Sequence, residues 1–283
     1  MNDSTEGMVT APRGPSAEAR PASSRVLRVV LVGLVAGFLS GLFGVGGGIL
    51  IVPSLVLLLG FSQRLAHGTS LAAVLPIAIA SLTTYAFEDK VDWKVGALLA
   101  VGAVVGAVVG THILHRLPHD TLAIAFAVLL VATAVRLLFD HSDAGGRGDL
   151  HPITVVTLII VGLITGVLAG LLGVGGGIFV VPAMVVGYGI PAAVAKGTSL
   201  AMIVPTSIMG TWRNRKNHNV DLRVAVILGL AGVASAFAGG KISVGMSEQT
   251  SNILFALLLL VVATRMAWQV VAERKQQPVP GST

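Results

Sequence analysis

The chain has 283 residues, of which 54% are hydrophobic and only 11% are charged, and its mean hydropathy is +0.87. Soluble domains carry about 25% charged residues, so this composition excludes an ordinary soluble domain and indicates a membrane protein. The net charge of +6 does not indicate nucleic acid, because Lys and Arg lie mainly between the apolar blocks, where they set topology.

Ten apolar blocks follow a polar, Pro- and Ser-rich tail at 1–24 that is predicted to be disordered. A block of 20 residues rises about 30 Å as a helix, which matches the hydrocarbon core of a bilayer. The predicted fold class is therefore all-α, a polytopic, multi-pass protein of the cell membrane in contact with lipid. The blocks lie at 26–44, 49–60, 70–87, 95–114, 121–139, 152–173, 178–189, 199–212, 224–240 and 251–270.

The sequence repeats itself at an offset of 129 residues. Residues 41–76 and 170–205 align without a gap and share 19 identities in 36 positions. This repetition predicts two homologous membrane repeats. The predicted units are the N-terminal tail at 1–24, repeat 1 at 25–140, a linker at 141–151, repeat 2 at 152–271 and a C-terminal tail at 272–283.

The second block of each repeat is short, since its 12 residues would rise only about 18 Å as a helix. It is expected to be a half-helix unless it borrows flanking residues. The loop at 88–94 has three acids and two bases, whereas its equivalent at 213–223 has four bases and one acid. Equivalent loops of opposite charge favour opposite sides of the membrane, so the repeats are predicted to be inverted, with the N-terminus in the cytoplasm.

The glycines fall into two classes. Glycines spaced by four share one helical face and are expected to allow close packing of helices; they are Gly33, Gly37, Gly41, Gly102, Gly106, Gly110, Gly162, Gly166 and Gly170. The consecutive glycines 46–48 and 175–177 instead predict breaks in broken helices. Unwound backbone inside a membrane must be buried in protein or line a cavity. The amides of Gly46, Gly47, Gly48, Gly175, Gly176 and Gly177 could therefore contact an anion, or the glycines could serve only a sharp turn.

A Gly-Thr-Ser-Leu sequence follows each glycine motif. Thr69, Ser70, Thr198 and Ser199 are predicted as N-caps of the next helices or as ligands of a substrate oxygen. His67 and Lys196 stand immediately before the two sequences. A cation beside a helix start has the wrong sign for the helix dipole, which fits an anion-facing role, although either side chain could instead reach the membrane interface.

The sequence contains no pattern that would support an enzyme. The glycine motif fails the dinucleotide pattern GxGxxG because Ile49 occupies its last position. No catalytic residue, metal site or cofactor is predicted, because the chain lacks cysteine and has no acidic pair inside an apolar block. Every Asp and Glu falls in a loop, a tail or an interface, so no carboxylate proton relay is expected.

The doubled sequence GxxGVGGGIxxVP, each time followed by AxGTSL, resembles the sulfite exporter TauE/SafE family of membrane permeases over about residues 25–275. The resemblance implies a permease for an anion such as sulfite, sulfoacetate or another organosulfonate. We therefore expect a secondary permease for a small sulfur-containing anion, with its site between the repeats. A passive anion channel and a membrane scaffold remain as alternatives, and the sequence leaves a homo-oligomer open.

Overall fold

A computed structural model describes residues 22–113, 119–139 and 151–276. All regular structure in these ranges is helical, as predicted. Most of the predicted linker at 141–151 and parts of both predicted tails lie outside the described residues. The helices are α1 (Ala22–Phe43), α2 (Gly48–Leu59), α3 (Gln63–Phe87), α4 (Trp93–Ile113), α5 (His119–Phe139), α6 (Pro152–Leu172), α7 (Gly177–Tyr188), α8 (Ala192–Lys216), α9 (Leu222–Gly245) and α10 (Glu248–Gln276).

Five helices of the described chain, α1, α3, α6, α8 and α9, are long and apolar enough to cross a bilayer. Their apolar stretches run for 19 to 25 residues. A helix of 19 residues rises about 28 Å, close to the thickness of the hydrocarbon core. Large apolar side chains such as Leu31, Val105 and Ile160 are exposed on the outside of these helices or of α4, where lipid would cover them.

The glycines spaced by four allow the closest helix contacts, as predicted. A Cβ atom at Gly33 would lie 2.5 Å from the carbonyl oxygen of Leu228, and one at Gly37 would lie 2.5 Å from the Cα of Gly232. A Cβ atom at Gly166 would lie 2.5 Å from the Cα of Ala103. The backbones of α1 and α9, and those of α4 and α6, therefore touch along ridges of small residues.

The helix contacts also fix helix directions. Gly33 faces Leu228 and Gly41 faces Ala236, so residue numbers rise together and α1 runs parallel to α9. Pro76 faces Gly229 and Thr84 faces Gly240, so α3 runs in the same direction. Gly162, Gly166 and Gly170 face Leu99, Ala103 and Ala107 in order, so α6 and α4 are parallel.

The equivalent helices α3 and α8 run in opposite directions. Leu71, near the start of α3, faces Gly210 near the end of α8, and Tyr85, near the end of α3, faces Gly197 near the start of α8. The two helices cross close to Val74 and Ile203, which occupy the same position in the two repeats and are both fully buried. These two residues mark the centre of the helix bundle.

The short helices α2 and α7 have 12 residues each and run from the centre of the bundle to one end. A Cβ atom at Gly46, just before α2, would lie 3.3 Å from Val74 Cγ1 and 3.2 Å from Ile203 Cδ1. At its other end, the carbonyl oxygen of Leu59 accepts a hydrogen bond of 3.2 Å from Arg25 Nη2 near the start of α1. The helix α2 thus returns to the side where α1 begins, as expected of a half-helix.

Candidate functional site

Each repeat contains a glycine break, which we define as residues 44–47 in repeat 1 and 173–176 in repeat 2. The φ angles of Gly44, Gly46 and Gly47 are 68°, 78° and 72°, and the equivalents in repeat 2 have 67°, 80° and 85°. Only glycine adopts this left-handed region without steric cost. Both breaks are buried throughout, so the chain turns back sharply inside the protein.

The two glycine breaks pack against each other. A Cβ atom at Gly48 would lie 2.7 Å from Val174 Cα, and one at Gly177 would lie 2.8 Å from Val45 Cα. The same contact is thus made twice, with the repeats exchanged. Any side chain larger than hydrogen at these two positions would push the breaks apart.

Within the described residues, three of the four backbone N–H groups in each break have no acceptor, whereas Gly44 N and Gly173 N donate to the carbonyl oxygens of Ser40 and Ala169. Val45, Gly46 and Gly47 donate to no carbonyl or side chain there, and neither do Val174, Gly175 and Gly176. Unpaired buried N–H groups are uncommon and costly. They lie beside the first turns of α2 and α7, whose dipoles favour negative charge.

The serines of the two Gly-Thr-Ser sequences bind the breaks of the opposite repeat. Ser70 Oγ donates a hydrogen bond of 2.9 Å to the carbonyl oxygen of Gly173, and Ser199 Oγ donates to the carbonyl oxygen of Gly44. Both serines are fully buried. In this conformation each hydroxyl connects the third helix of one repeat, α3 or α8, to the glycine break of the other.

The threonines bind loops of the opposite repeat. Thr69 Oγ1 accepts a hydrogen bond of 3.0 Å from Asp221 N, and Thr198 Oγ1 accepts one of 2.9 Å from Asp92 N. The two aspartates in turn cap the helices that follow them: Asp221 Oδ1 accepts from Val224 N, and Asp92 Oδ1 accepts from Val95 N. The threonines therefore hold the starts of α9 and α4.

The prediction that Thr69, Ser70, Thr198 or Ser199 are N-caps is wrong. The helix α3 begins at Gln63, where Ser62 Oγ accepts a hydrogen bond of 3.4 Å from Leu65 N, and α8 begins at Ala192 after Pro191. The four hydroxyl residues lie inside these helices. The helices start earlier because only three residues separate them from α2 and α7, so the segments before the Gly-Thr-Ser sequences already form their first turns.

His67 and Lys196 each contact the glycine break of the opposite repeat through their backbones. A Cβ atom at Gly173 would lie 2.7 Å from His67 Cα, and one at Gly44 would lie 2.7 Å from Lys196 Cα. The side chains differ in environment, since His67 is half-buried and Lys196 is fully buried. The side chain of Lys196 therefore does not reach the surface of the protein in this conformation.

The ammonium group of Lys196 lies among polar and aromatic groups. Nζ donates a hydrogen bond of 2.7 Å to Ser251 Oγ and lies 5.0 Å and 5.8 Å from the ring centroids of Phe255 and Phe43. No carboxylate of the described residues is close enough to form an ion pair with it. A buried cation held by one hydroxyl and two aromatic rings is an attractive site for an anion.

A cavity of about 120 Å³ lies at the end of the bundle opposite the start of α1. We call it the basic cavity, because Lys90 and Arg136 line it and none of its described lining residues is acidic. Tyr85, Ser243, Ser251 and Asn252 supply further polar groups. Arg136 Nη1 donates a hydrogen bond of 2.7 Å to the carbonyl oxygen of Val186, which fixes the guanidinium group on α7.

Sequence reasoning missed Arg136, Ser251 and Asn252 as site residues. A detectable signal for Ser251 was a difference in polarity between equivalent positions of the two repeats. At the offset of 129, the polar Ser251 corresponds to Leu122, just as Lys196 corresponds to His67. The hydroxyl and the cation that it binds thus both belong to repeat 2.

Comparisons with known proteins agree on a transporter family. The family model described as sulfite exporter TauE/SafE matches residues 7–137 and 158–282. The probable membrane transporter protein YunE of Bacillus subtilis is 26% identical over 268 residues, which cover 87% of this chain and 97% of that protein. A probable membrane transporter protein of Haemophilus influenzae is 29% identical over 85% of this chain and 97% of that protein. One of Methanocaldococcus jannaschii is 28% identical over 84% of this chain and 94% of that protein. No solved structure matches the chain significantly.

Proposed function

The chain belongs to the sulfite exporter TauE/SafE family, and from this premise we propose that it is a secondary permease for a small sulfur-containing anion such as sulfite or an organosulfonate. The proposed binding region lies between the two repeats. It comprises Gly46, Gly47, Gly48, Gly175, Gly176 and Gly177, the hydroxyl residues Thr69, Ser70, Thr198 and Ser199, and the cations His67 and Lys196.

The observation that carries the proposal is the buried ammonium group of Lys196. Taking a cation out of water without a carboxylate partner is expensive, so the site is poised to gain an anion. An ionisable residue inside a membrane segment is a functional candidate by default. The Cα atom of Lys196 packs against Gly44, so the unpaired N–H groups of the glycine breaks add further donors close to its backbone, and anions bind to such groups at helix starts.

Alternating access follows from the proposed inversion of the two repeats. The antiparallel course of α3 and α8 supports inversion, because equivalent helices of parallel repeats would run in the same direction. Inverted repeats place the substrate site at their interface and allow one repeat to rock against the other. In this proposal the hydroxyl bonds of Ser70 and Ser199 are broken and remade as the repeats move, which frees their oxygens for the substrate.

A carrier fits the described conformation better than a passive anion channel. Both glycine breaks are buried, and the basic cavity ends at the buried side chains of Tyr85 and Ser251. A channel needs a continuous path, whereas a carrier closes its site on at least one side. We expect saturable counterflow, whereas a rate that rises linearly with concentration would indicate a channel.

Flux measurements on reconstituted protein test the proposal. Wild-type proteoliposomes are expected to take up sulfite or small sulfonates saturably. The double variant Gly47→Leu with Gly176→Leu should lose this uptake, because both positions require positive φ and would gain bulky side chains in the breaks. A single Gly187→Leu protein is the matched control, since a Cβ atom there would meet nothing within 4 Å.

The fluxes of the wild type and of the variants test the substrate class, the role of the glycine breaks and the scaffold alternative. Wild-type protein that moves none of these anions would overturn the proposed substrate class. A double variant that folds and transports normally would remove the breaks from the site. A scaffold protein would instead show no flux at all, and Thr69→Ala and Thr198→Ala would change only its stability.

A further inference from the structure

We propose that the basic cavity is the anion-recognition site of this protein on the side of the membrane opposite the start of α1, an inference that rests on the proposed function. Its recognition groups are Arg136, Asn252 and Lys90 on the walls and the Lys196–Ser251 pair at the inner end. Three of these five residues come from α8 and α10 of repeat 2, so this site is distinct from the symmetric glycine breaks.

The charge of the cavity favours an anion. Lys90 and Arg136 line it without an acidic residue among the described lining groups. Arg136 is held in place by the carbonyl oxygen of Val186, so its guanidinium group is positioned before a ligand arrives. Positioned arginine donors match the geometry of oxyanions, and clefts lined by one sign of charge concentrate ions of the other.

The volume of the cavity limits the size of the anion. A water molecule needs about 10–15 Å³ of cavity volume, so 120 Å³ has room for several waters or for one small oxyanion. A sulfite or methanesulfonate ion meets this limit. An arylsulfonate does not, unless the cavity walls move.

The side chain of Lys196 connects the cavity to the glycine break of repeat 1. Its backbone packs against Gly44, and its ammonium group binds Ser251, which lines the cavity. An anion that enters the cavity would compete with Ser251 Oγ for Nζ. Because Ser199 binds the carbonyl oxygens of both Gly44 and Lys196, movement of Lys196 would be transmitted directly to the break.

Titration calorimetry of purified protein with sodium sulfite tests the site. Asn252→Asp keeps the shape of the side chain and adds a negative charge to the cavity wall, so the Kd for sulfite should rise by about tenfold or more. Asn217→Asp makes the same chemical change at an exposed position on the other side of the bundle. Its Kd should stay within about twofold of wild type, because water and salt screen a distant exposed charge.

A second pair of variants keeps the proposal testable if Asn252→Asp does not fold. Lys90→Gln removes a cation from the cavity wall and should weaken sulfite binding severalfold, whereas Lys94→Gln, on the exposed start of α4, should leave it unchanged. Naphthalenesulfonate should not compete with sulfite in wild-type protein.

The outcomes separate this inference from the proposed function. Sulfite transport by wild type, together with unchanged sulfite binding in Asn252→Asp and Lys90→Gln, would overturn the cavity site and leave the permease standing. Wild-type protein that neither binds nor transports sulfite or methanesulfonate would overturn both. Weaker binding in both control variants, equal to that in the cavity variants, would assign the effect to net charge and also overturn the cavity site.

Discussion

His67 and Lys196 occupy equivalent positions in the two repeats but have different surroundings. His67 and Lys196 make the same backbone contact with the opposite glycine break, but Lys196 is fully buried and donates to Ser251 Oγ on α10, whereas His67 is half-buried. The hydroxyls of the two Gly-Thr-Ser sequences all bind protein groups in this conformation. Among the described residues, Lys196 is the fully buried basic side chain, and no carboxylate there lies within ion-pair distance of it.

Replacement of Lys196 by methionine separates function from stability. Methionine has a similar length and no charge, so Lys196→Met should remove the desolvation cost of the ammonium group and raise the free energy of unfolding by about 1–4 kcal/mol. Anion uptake should be lost. Thermal unfolding in detergent and flux in proteoliposomes measure the two effects.

A purely structural lysine would behave in the opposite way. Lys196→Met protein would then be less stable than wild type and would retain its uptake. Ser251→Ala serves as the companion variant, because it leaves the charge and removes only the hydroxyl acceptor.

Glycine has two separate uses at the scale of the helices. In α1, α4 and α6 it creates flat faces on which another backbone can lie, and in the breaks it provides the left-handed turns between α1 and α2 and between α6 and α7. The first use was predictable from spacing by four. The second was predictable as a break, but the direction of the following half-helix was not, because a turn of glycines can lead the chain either way.

A pair of alanine substitutions distinguishes packed glycines from open ones. Gly37→Ala places a methyl group 2.5 Å from the Cα of Gly232, so it should destabilise the protein by about 1–3 kcal/mol through overpacking. Gly187→Ala, in the open part of α7, should stabilise it by roughly 0.5–1 kcal/mol, because alanine favours the helix.

Unfolding free energies in mixed micelles give the comparison. Equal effects of the two substitutions would show that α1 and α9 are not in backbone contact. Because neither position lies in the proposed site, Gly187→Ala protein should transport at the wild-type rate.

Across the whole molecule, each repeat makes the same hydrogen bonds to the other. Ser70 with Gly173 is mirrored by Ser199 with Gly44, and Thr69 with Asp221 is mirrored by Thr198 with Asp92. Contacts that are reciprocal in this way are what a two-fold relation produces. The basic cavity breaks the relation, since its inner cation and hydroxyl belong to repeat 2.

Cysteine labelling tests the inverted arrangement. The chain has no cysteine, so Lys94→Cys and Asn217→Cys each give one reactive thiol without background. Both positions are exposed and lie near equivalent loops of the two repeats. An impermeant thiol reagent added outside intact cells should label Lys94→Cys only, and labelling of both variants, or of neither, from that side would contradict the inverted arrangement and predicted orientation.

The sequence by itself determined the membrane class, the internal repetition, the positions of the glycine breaks and the ridges of small residues, because each is a pattern of polarity or spacing along the chain. Only the tertiary structure decided what the hydroxyls and cations contact. A serine or threonine side chain serves equally well as a helix cap and as a partner of the other repeat, so the residue type does not distinguish the two roles. The partners of Ser70 and Ser199 lie 103 and 155 residues away along the chain. The pairing of Lys196 with Ser251 and the basic cavity arose in the same way, from helices that meet only when the two repeats pack together.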